Sequence, residues 1–243
     1  MNKYFISILS LFLACGSDSD PNPSTLIESM SDIKIDYITR GGEMFTDFEY
    51  ENNLLTKILV YDSYLGEVYL TREFSYDGDN RLLHMTDVYS NSKRLYDFTW
   101  EDGRIVKCYE TRDTDSYESY DIYMYTDGLL TEFAKMEVGD GYEIEASRNQ
   151  YIYTDGILKE IYVPASDVTV MIETDDKKNP FYGMPYRAMD IFSYPVYARP
   201  LANNIISGKS VYGESNFEYT YNSEGYPVSV IDADNLLMEF FYK

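Results

Sequence analysis

Apolar residues recur at every second position in short segments punctuated by Asp, Asn and Gly. One unit returns six times: an aromatic, any residue, a second aromatic, a short acidic or Gly/Asn turn, then an aliphatic residue (aromatic in the last copy). The copies are Phe48-Glu49-Tyr50, Phe74-Ser75-Tyr76, Phe98-Thr99-Trp100, Tyr123-Met124-Tyr125, Tyr151-Ile152-Tyr153 and Tyr219-Thr220-Tyr221. Their second aromatics stand at 50, 76, 100, 125, 153 and 221, so the steps are 26, 24, 25, 28 and then 68. Two aromatics at i and i+2 share one face of a strand. Asp-Gly and Asn-rich pairs supply the positive φ that tight hairpins need. A period of about 25 residues holds two strands of roughly eight residues and two turns, so each unit is a β-hairpin.

A helical reading fails, because Tyr, Phe, Ile, Val and Thr crowd the segments at a spacing of two. Three further strand candidates cover 33–39, 168–173 and 236–242. Hairpins and extras together give about 14 or 15 strands. An antiparallel sheet of that size must curl, close or split. The expected fold is all-β: antiparallel hairpin repeats in a strongly curved sheet or barrel-like domain over residues 31–243.

The chain starts differently. Met1-Asn2-Lys3 is a short cationic start, and Tyr4 to Leu13 is an apolar run. Such a run suits the core of a signal peptide and is too short to span a bilayer. It ends in Phe12-Leu13-Ala14-Cys15-Gly16, which resembles the lipobox of bacterial lipoproteins. That resemblance implies a signal peptide over 1–14 and a lipid on Cys15. Residues 15–30, with Gly16-Ser17-Asp18-Ser19-Asp20 and Pro21-Asn22-Pro23, read as a flexible tether. The acidic stretch after the Cys looks like the surface-export signal of Bacteroides-type lipoproteins, which tips the expectation from the periplasmic face to the cell surface. After processing, Cys108 is the only thiol left, so no intramolecular disulfide forms. Its strand setting predicts a buried, inert side chain.

Composition narrows the function. The 243 residues carry 42 Asp and Glu against 20 Lys and Arg, a net charge of −22. That balance argues against a nucleic-acid partner, because phosphate binding needs clustered basic residues. It argues equally against a polybasic membrane patch. The 44% hydrophobic content argues against wholesale disorder. Acidic residues interrupt both strand faces, as in Asp113-Thr114-Asp115-Ser116-Tyr117-Glu118, so the strands do not read as membrane-spanning.

Phe74-Ser75-Tyr76-Asp77-Gly78-Asp79-Asn80-Arg81-Leu82 and Trp100-Glu101-Asp102-Gly103-Arg104-Ile105 look like the tyrosine-aspartate repeats of RHS-type shell proteins. Together with the lipobox and the string Asp175-Asp176-Lys177-Lys178-Asn179-Pro180-Phe181, they suggest a narrower match. Over residues 30–243 the chain resembles Bacteroides-type lipoproteins of unknown function with a porin-like β domain. The resemblance implies an antiparallel barrel-like domain hung from a lipid, and no particular activity.

The step of 68 marks an insertion at about 174–214, which holds four of the eight prolines. Met184 to Ser193 fits one short helix, with Pro185 in its first turn. Tyr182, Tyr186, Arg187, Tyr194, Tyr197 and Arg199 are the candidate ligand contacts, since Tyr rings stack on sugar faces and Arg pairs with carboxylates. A plug over an open barrel end is the favoured alternative, because Phe181, Met184, Met189, Ile191 and Phe192 look buried.

Other chemistry finds little support. His84 is the sole histidine, and alternation sets it outward, opposite Leu83 and Met85. No Gly-x-Ser-x-Gly elbow, Walker motif or dinucleotide Gly pattern occurs. One His and one free Cys cannot make a zinc site. Asp77-Gly78-Asp79 and Asp232-Ala233-Asp234 read as turns rather than calcium loops. No cofactor or metal is expected. A glycosidase carboxylate pair stays open as an enzymatic alternative. The expected function is a lipid-anchored outer-membrane protein acting as a non-enzymatic binding or scaffold module, with a glycan or an envelope protein as partner. The alternative is a glycan-binding, less readily glycan-hydrolysing, surface lipoprotein.

Overall fold

The computed structural model describes residues 33–62, 64–114, 118–139, 141–182, 184, 201–232 and 235–243. Seventeen strands form one antiparallel sheet: β1 (Ile35–Arg40), β2 (Glu43–Glu51), β3 (Leu54–Tyr61), β4 (Val68–Tyr76), β5 (Leu82–Val88), β6 (Lys93–Glu101), β7 (Arg104–Arg112), β8 (Glu118–Thr126) and β9 (Leu129–Gly139). They continue as β10 (Tyr142–Thr154), β11 (Ile157–Val163), β12 (Val168–Lys178), β13 (Asn203–Ser210), β14 (Gly213–Asn216), β15 (Glu218–Tyr221), β16 (Pro227–Ile231) and β17 (Leu237–Tyr242). A 3-10 turn at Pro164–Ser166 is the only helical element among the described residues.

Each strand pairs with its chain neighbour, and β17 returns to pair with β1, Ile38 opposite Phe240. The result is an up-and-down ring that removes nearly every edge. One dislocation interrupts it. The run from Gly213 to Tyr221 breaks at Phe217; its first half pairs with β13 and its second with β16. A bond from the Phe217 amide to the Ile206 carbonyl (2.9 Å) carries the first pairing to the break. That split, together with β13, which the sequence reading placed inside the insertion, accounts for the excess over the expected strand count.

The ring has two ends. At the entry end β1 begins and β17 finishes, and there lie the turns 52–53, 77–81, 102–103, 127–128, 155–156 and 222–226. Asp102 and Gly103 take φ values of 47° and 73°, the paired left-handed geometry that a two-residue hairpin requires. The far end carries the connections 41–42, 62–67, 89–92, 113–117, 140–141, 164–167, 211–212 and 232–236.

Every repeat unit contains a β-bulge, and it falls at the second aromatic: Tyr50, Tyr76, Trp100, Tyr125, Tyr153 and Tyr221. The bulge leaves two consecutive outward residues on the return strand. Leu82 is buried, Leu83 and His84 are exposed, and Met85 is buried again. Strict alternation had set Leu83 inside; the inserted residue turns it out. His84 does face outward, with Nδ1 2.5 Å from Asp97.

The interior is filled by one connected apolar cluster, from Ile35 and Phe48 through Phe74, Phe98, Cys108 and Phe133 to Phe240. Cys108 is buried, as its strand position predicts. A round ring of this many strands would leave a wide lumen; here side chains occupy it. The outer face carries charged cross-strand neighbours such as Glu49–Lys57–Glu73 and His84–Asp97. Exposed Leu83, Leu95, Ile152 and Met171 stand among these charges. No helix among the described residues is long and apolar enough to cross a membrane.

Candidate functional site

The second aromatics, joined by Tyr242 of β17, form a girdle at the entry end, and all but Tyr221 direct their polar tips to the backbone of the preceding strand pair. The Tyr76 hydroxyl donates to the Leu55 carbonyl (2.7 Å), and the Trp100 Nε1–H donates to the Leu82 carbonyl (2.7 Å). Tyr125 donates to Ile105 (3.0 Å), Tyr153 to Leu130 (3.0 Å) and Tyr242 to Pro227 (2.6 Å). These carbonyls lie two residues beyond the last ladder pairs, Lys57 with Glu73, His84 with Asp97, Lys107 with Ile122, Glu132 with Gln150 and Ser229 with Glu239. The strands splay there, and an aromatic tip replaces the missing backbone donor. Tyr50 meets the Ile35 backbone with the opposite polarity, its oxygen accepting from the amide, and carries the girdle across the β17–β1 closure. Burial raises the pKa of Tyr50, Tyr76, Tyr125 and Tyr242; Tyr125 is pushed up to about 12.

The girdle has one gap, and the insertion starts there. On β12 a bulge falls at Thr174, where the other units place an aromatic. The hairpin β12–β13 is otherwise complete, so the extra length is the connection 179–202 rather than the whole of 174–214. Its base is pinned by the Asn179 amide donating to the Ala202 carbonyl (3.1 Å). Asp175 gathers the surrounding donors: the Lys177 amide (3.0 Å), the Asn204 amide (3.1 Å), Asn204 Nδ2 (3.1 Å) and the Tyr221 hydroxyl. Tyr221 thus turns away from the girdle pattern toward a carboxylate. Burial and then that hydrogen bond raise its pKa. The connection itself adds a buried aromatic to the core. Phe181 is 1% exposed and meets Phe240 edge-on at 6.2 Å between centroids. Met184 is buried in the same cluster.

Of the candidate ligand contacts, Tyr182 is half-buried beside Phe181 at the entry end. Tyr186, Arg187, Tyr194, Tyr197 and Arg199 lie outside the described residues, as do the lipidation candidate Cys15, the buried candidates Met189, Ile191 and Phe192, and the body of the expected helix.

A second feature escaped the sequence reading. Beyond the aromatic layers, toward the far end, the interior turns polar over β4 to β8. Arg72 and Asp87 are both buried and joined by two bonds, Nε to Oδ1 and Nη2 to Oδ2, each 2.6 Å. The Tyr96 hydroxyl donates to Asp87 Oδ2 at 3.3 Å. Buried Glu110 accepts from Arg112 Nε and from Ser119 Oγ, both at 3.3 Å. Arg94 lies over the Tyr89 ring, 5.1 Å from its centroid. The register signals this layer: Arg72, Tyr96 and Asp121 stand four residues before a second aromatic, on its own face.

Asp77 accepts from the Asp79 amide (2.9 Å), the Arg81 amide (3.0 Å) and Arg81 Nε (2.8 Å), which spends its oxygens on a turn. No group of three or more His, Cys, Asp or Glu capable of holding a metal occurs among the described residues.

No family model and no curated protein matches the sequence. In fold the chain is similar to two solved porin-like proteins. One, from Bacteroides uniformis, is 14% identical with a TM-score of 0.38, covering 82% of this chain and 76% of that one. The other, from Bacteroides vulgatus, is 11% identical with a TM-score of 0.39, covering 87% of this chain and 99% of that one.

Proposed function

We propose that this protein is a lipid-anchored, non-enzymatic binding or scaffold module of the outer membrane. One observation carries the reading: β1 begins at the entry end of the ring, where Ile35 pairs with Tyr242, so the chain enters the ring at that end. A lipid on Cys15 would tether the entry end through residues 15–30 and present the far rim. The filled interior and the charged outer face support a body that sits outside the bilayer. The buried carboxylates Asp87 and Glu110 are committed to Arg72 and Arg112, which suits a structural role.

The test is metabolic labelling with a palmitate analogue in a Gram-negative host. Label in the membrane fraction, lost in Cys15→Ala, supports the anchor; label retained in Cys15→Ala overturns it. Proteinase digestion of intact cells then separates the surface from the periplasmic face.

A glycan ligand is the second reading. Tyr182 favours it, since this ring stays accessible on a connection whose neighbours Phe181 and Met184 are seated in the core. A thermal-shift panel of polysaccharides, with Tyr182→Ala and Tyr186→Ala as controls, tests that ligand. A flat panel removes it for the polysaccharides used.

A further inference from the structure

We infer that one arc of the far rim is a docking surface for a basic, amphipathic polypeptide. The arc is formed by the described residues of four connections that follow one another around the ring: 211–212, 232 with 235–236, 41–42, and 62 with 64–67. Its apolar side chains project into solvent. Val211 is 83% exposed, Tyr212 81%, Tyr64 93% and Leu65 66%, with Leu237 and Met44 partly exposed between them. These side chains contribute almost nothing to the core, and leaving several large apolar groups in water marks an interaction surface.

Charge identifies the partner. The eight far-end connections contain no Lys or Arg, and the arc presents Asp62, Glu67 and, at the start of β2, Glu43, while Asp232 is buried beneath it. Such a rim repels an anionic bilayer and also a second copy of a chain with a net charge of −22. It complements a segment with one basic and one apolar face, in which charge steers approach and the exposed rings supply contact area.

The arc is held in place from beneath. Asp62 Oδ1 accepts from the Tyr64 and Leu65 amides (both 2.8 Å) and so shapes the tip that lifts their side chains. The Gly41 amide donates to the Leu237 carbonyl (2.7 Å) and joins the 41–42 turn to the start of β17. The surface is therefore preformed, which lowers the ordering cost of binding.

This surface deepens the binding-module reading and requires no lipid. The experiment titrates the purified full-length chain, in detergent, with a fluorescent amphipathic helical peptide of Leu and Lys. A matched Leu and Glu peptide and zwitterionic phospholipid vesicles form the other arms. The expected result is saturable binding of the Leu/Lys peptide alone, weakened by salt. It should fall about tenfold in Tyr64→Ser/Leu65→Ser and again in Val211→Ser/Tyr212→Ser. Those four positions are exposed, so an unchanged melting curve shows the fold intact. Equal binding by the variants would reduce the effect to bulk charge and overturn the arc, and binding of vesicles instead of peptide would overturn it in favour of a membrane. Loss of the arc with palmitate labelling intact would leave the anchored module standing, so the two failures are distinguishable.

Discussion

Arg72 on β4 and Asp87 on β5 are directly opposed across the ladder and joined by two parallel bonds of 2.6 Å inside the ring. Their side chains are 2% and 1% exposed, so the pair is shielded from water and salt. Removing one member leaves the other charged and buried. Arg72→Ala is expected to cost about 3–5 kcal/mol. The double variant Arg72→Met/Asp87→Leu should regain most of that, because both charges are then gone. Urea denaturation of the three proteins checks this. A double variant as unstable as Arg72→Ala would show that packing rather than pairing sets the cost.

The aromatic girdle makes a different prediction, since its rings and its polar tips act separately. Tyr76→Phe keeps the ring and deletes the donor to the Leu55 carbonyl. A buried carbonyl without its donor costs about 1–3 kcal/mol. Tyr37→Phe, on the outer face against Phe241 at 4.3 Å, should change stability by less than about 0.5 kcal/mol. Equal effects in the two variants, measured by chemical denaturation, would show that the tips contribute nothing.

Those tips also explain what was legible in the sequence. The aromatic-x-aromatic unit and its Asp-Gly turns are local, so the hairpins and the curved all-β architecture follow from them. The bulge at each second aromatic is not local. It belongs to the pairing of two strands and falls also at Thr174, where no aromatic stands, so single-segment alternation cannot contain it. Hence Leu83 was set inward. The insertion was overdrawn for a related reason. Thr174 carries no aromatic, so the β12–β13 hairpin lost its mark although its bulge and pairing persist. The polar layer around Arg72 was missed because charged residues read as solvated until neighbouring strands are aligned. Phe181 and Met184 are buried as their apolar side chains lead one to expect, while Met189, Ile191 and Phe192 lie outside the described residues.

Phe181 anchors that connection. Phe181→Ala removes an almost fully buried ring from the core and from its edge contact with Phe240, and is expected to cost about 3–5 kcal/mol. Limited proteolysis should then cut within 179–202 at lower protease concentration than in the parent. An unchanged cleavage pattern in a destabilised variant would mean that Phe181 supports the core without holding the connection.

Alkaline pH tests the girdle as a whole. A free tyrosine ionises near pH 10. Burial favours the neutral phenol, and Tyr125, which donates to the Ile105 carbonyl, is pushed up to about 12. The folded pKa lies above the unfolded one, so the contribution to stability is complete below pH 10. It declines as pH rises from 10 toward 12, because the unfolded chain loses a proton that the folded chain retains. Each such group steepens the loss by about 1.4 kcal/mol per pH unit within that window. Tyr50, Tyr76 and Tyr242 are shifted in the same direction by the same cause and add to the slope. Urea midpoints should therefore stay level to about pH 9.5 and fall steeply above it. Absorbance at 295 nm should show these phenols ionising only as the ring unfolds. Tyr125→Phe should flatten the slope by about one group's share while lowering stability at pH 8. Full tyrosine titration near pH 10 in a still-folded protein would mean that the girdle is open to water, and with it the entry end of the ring.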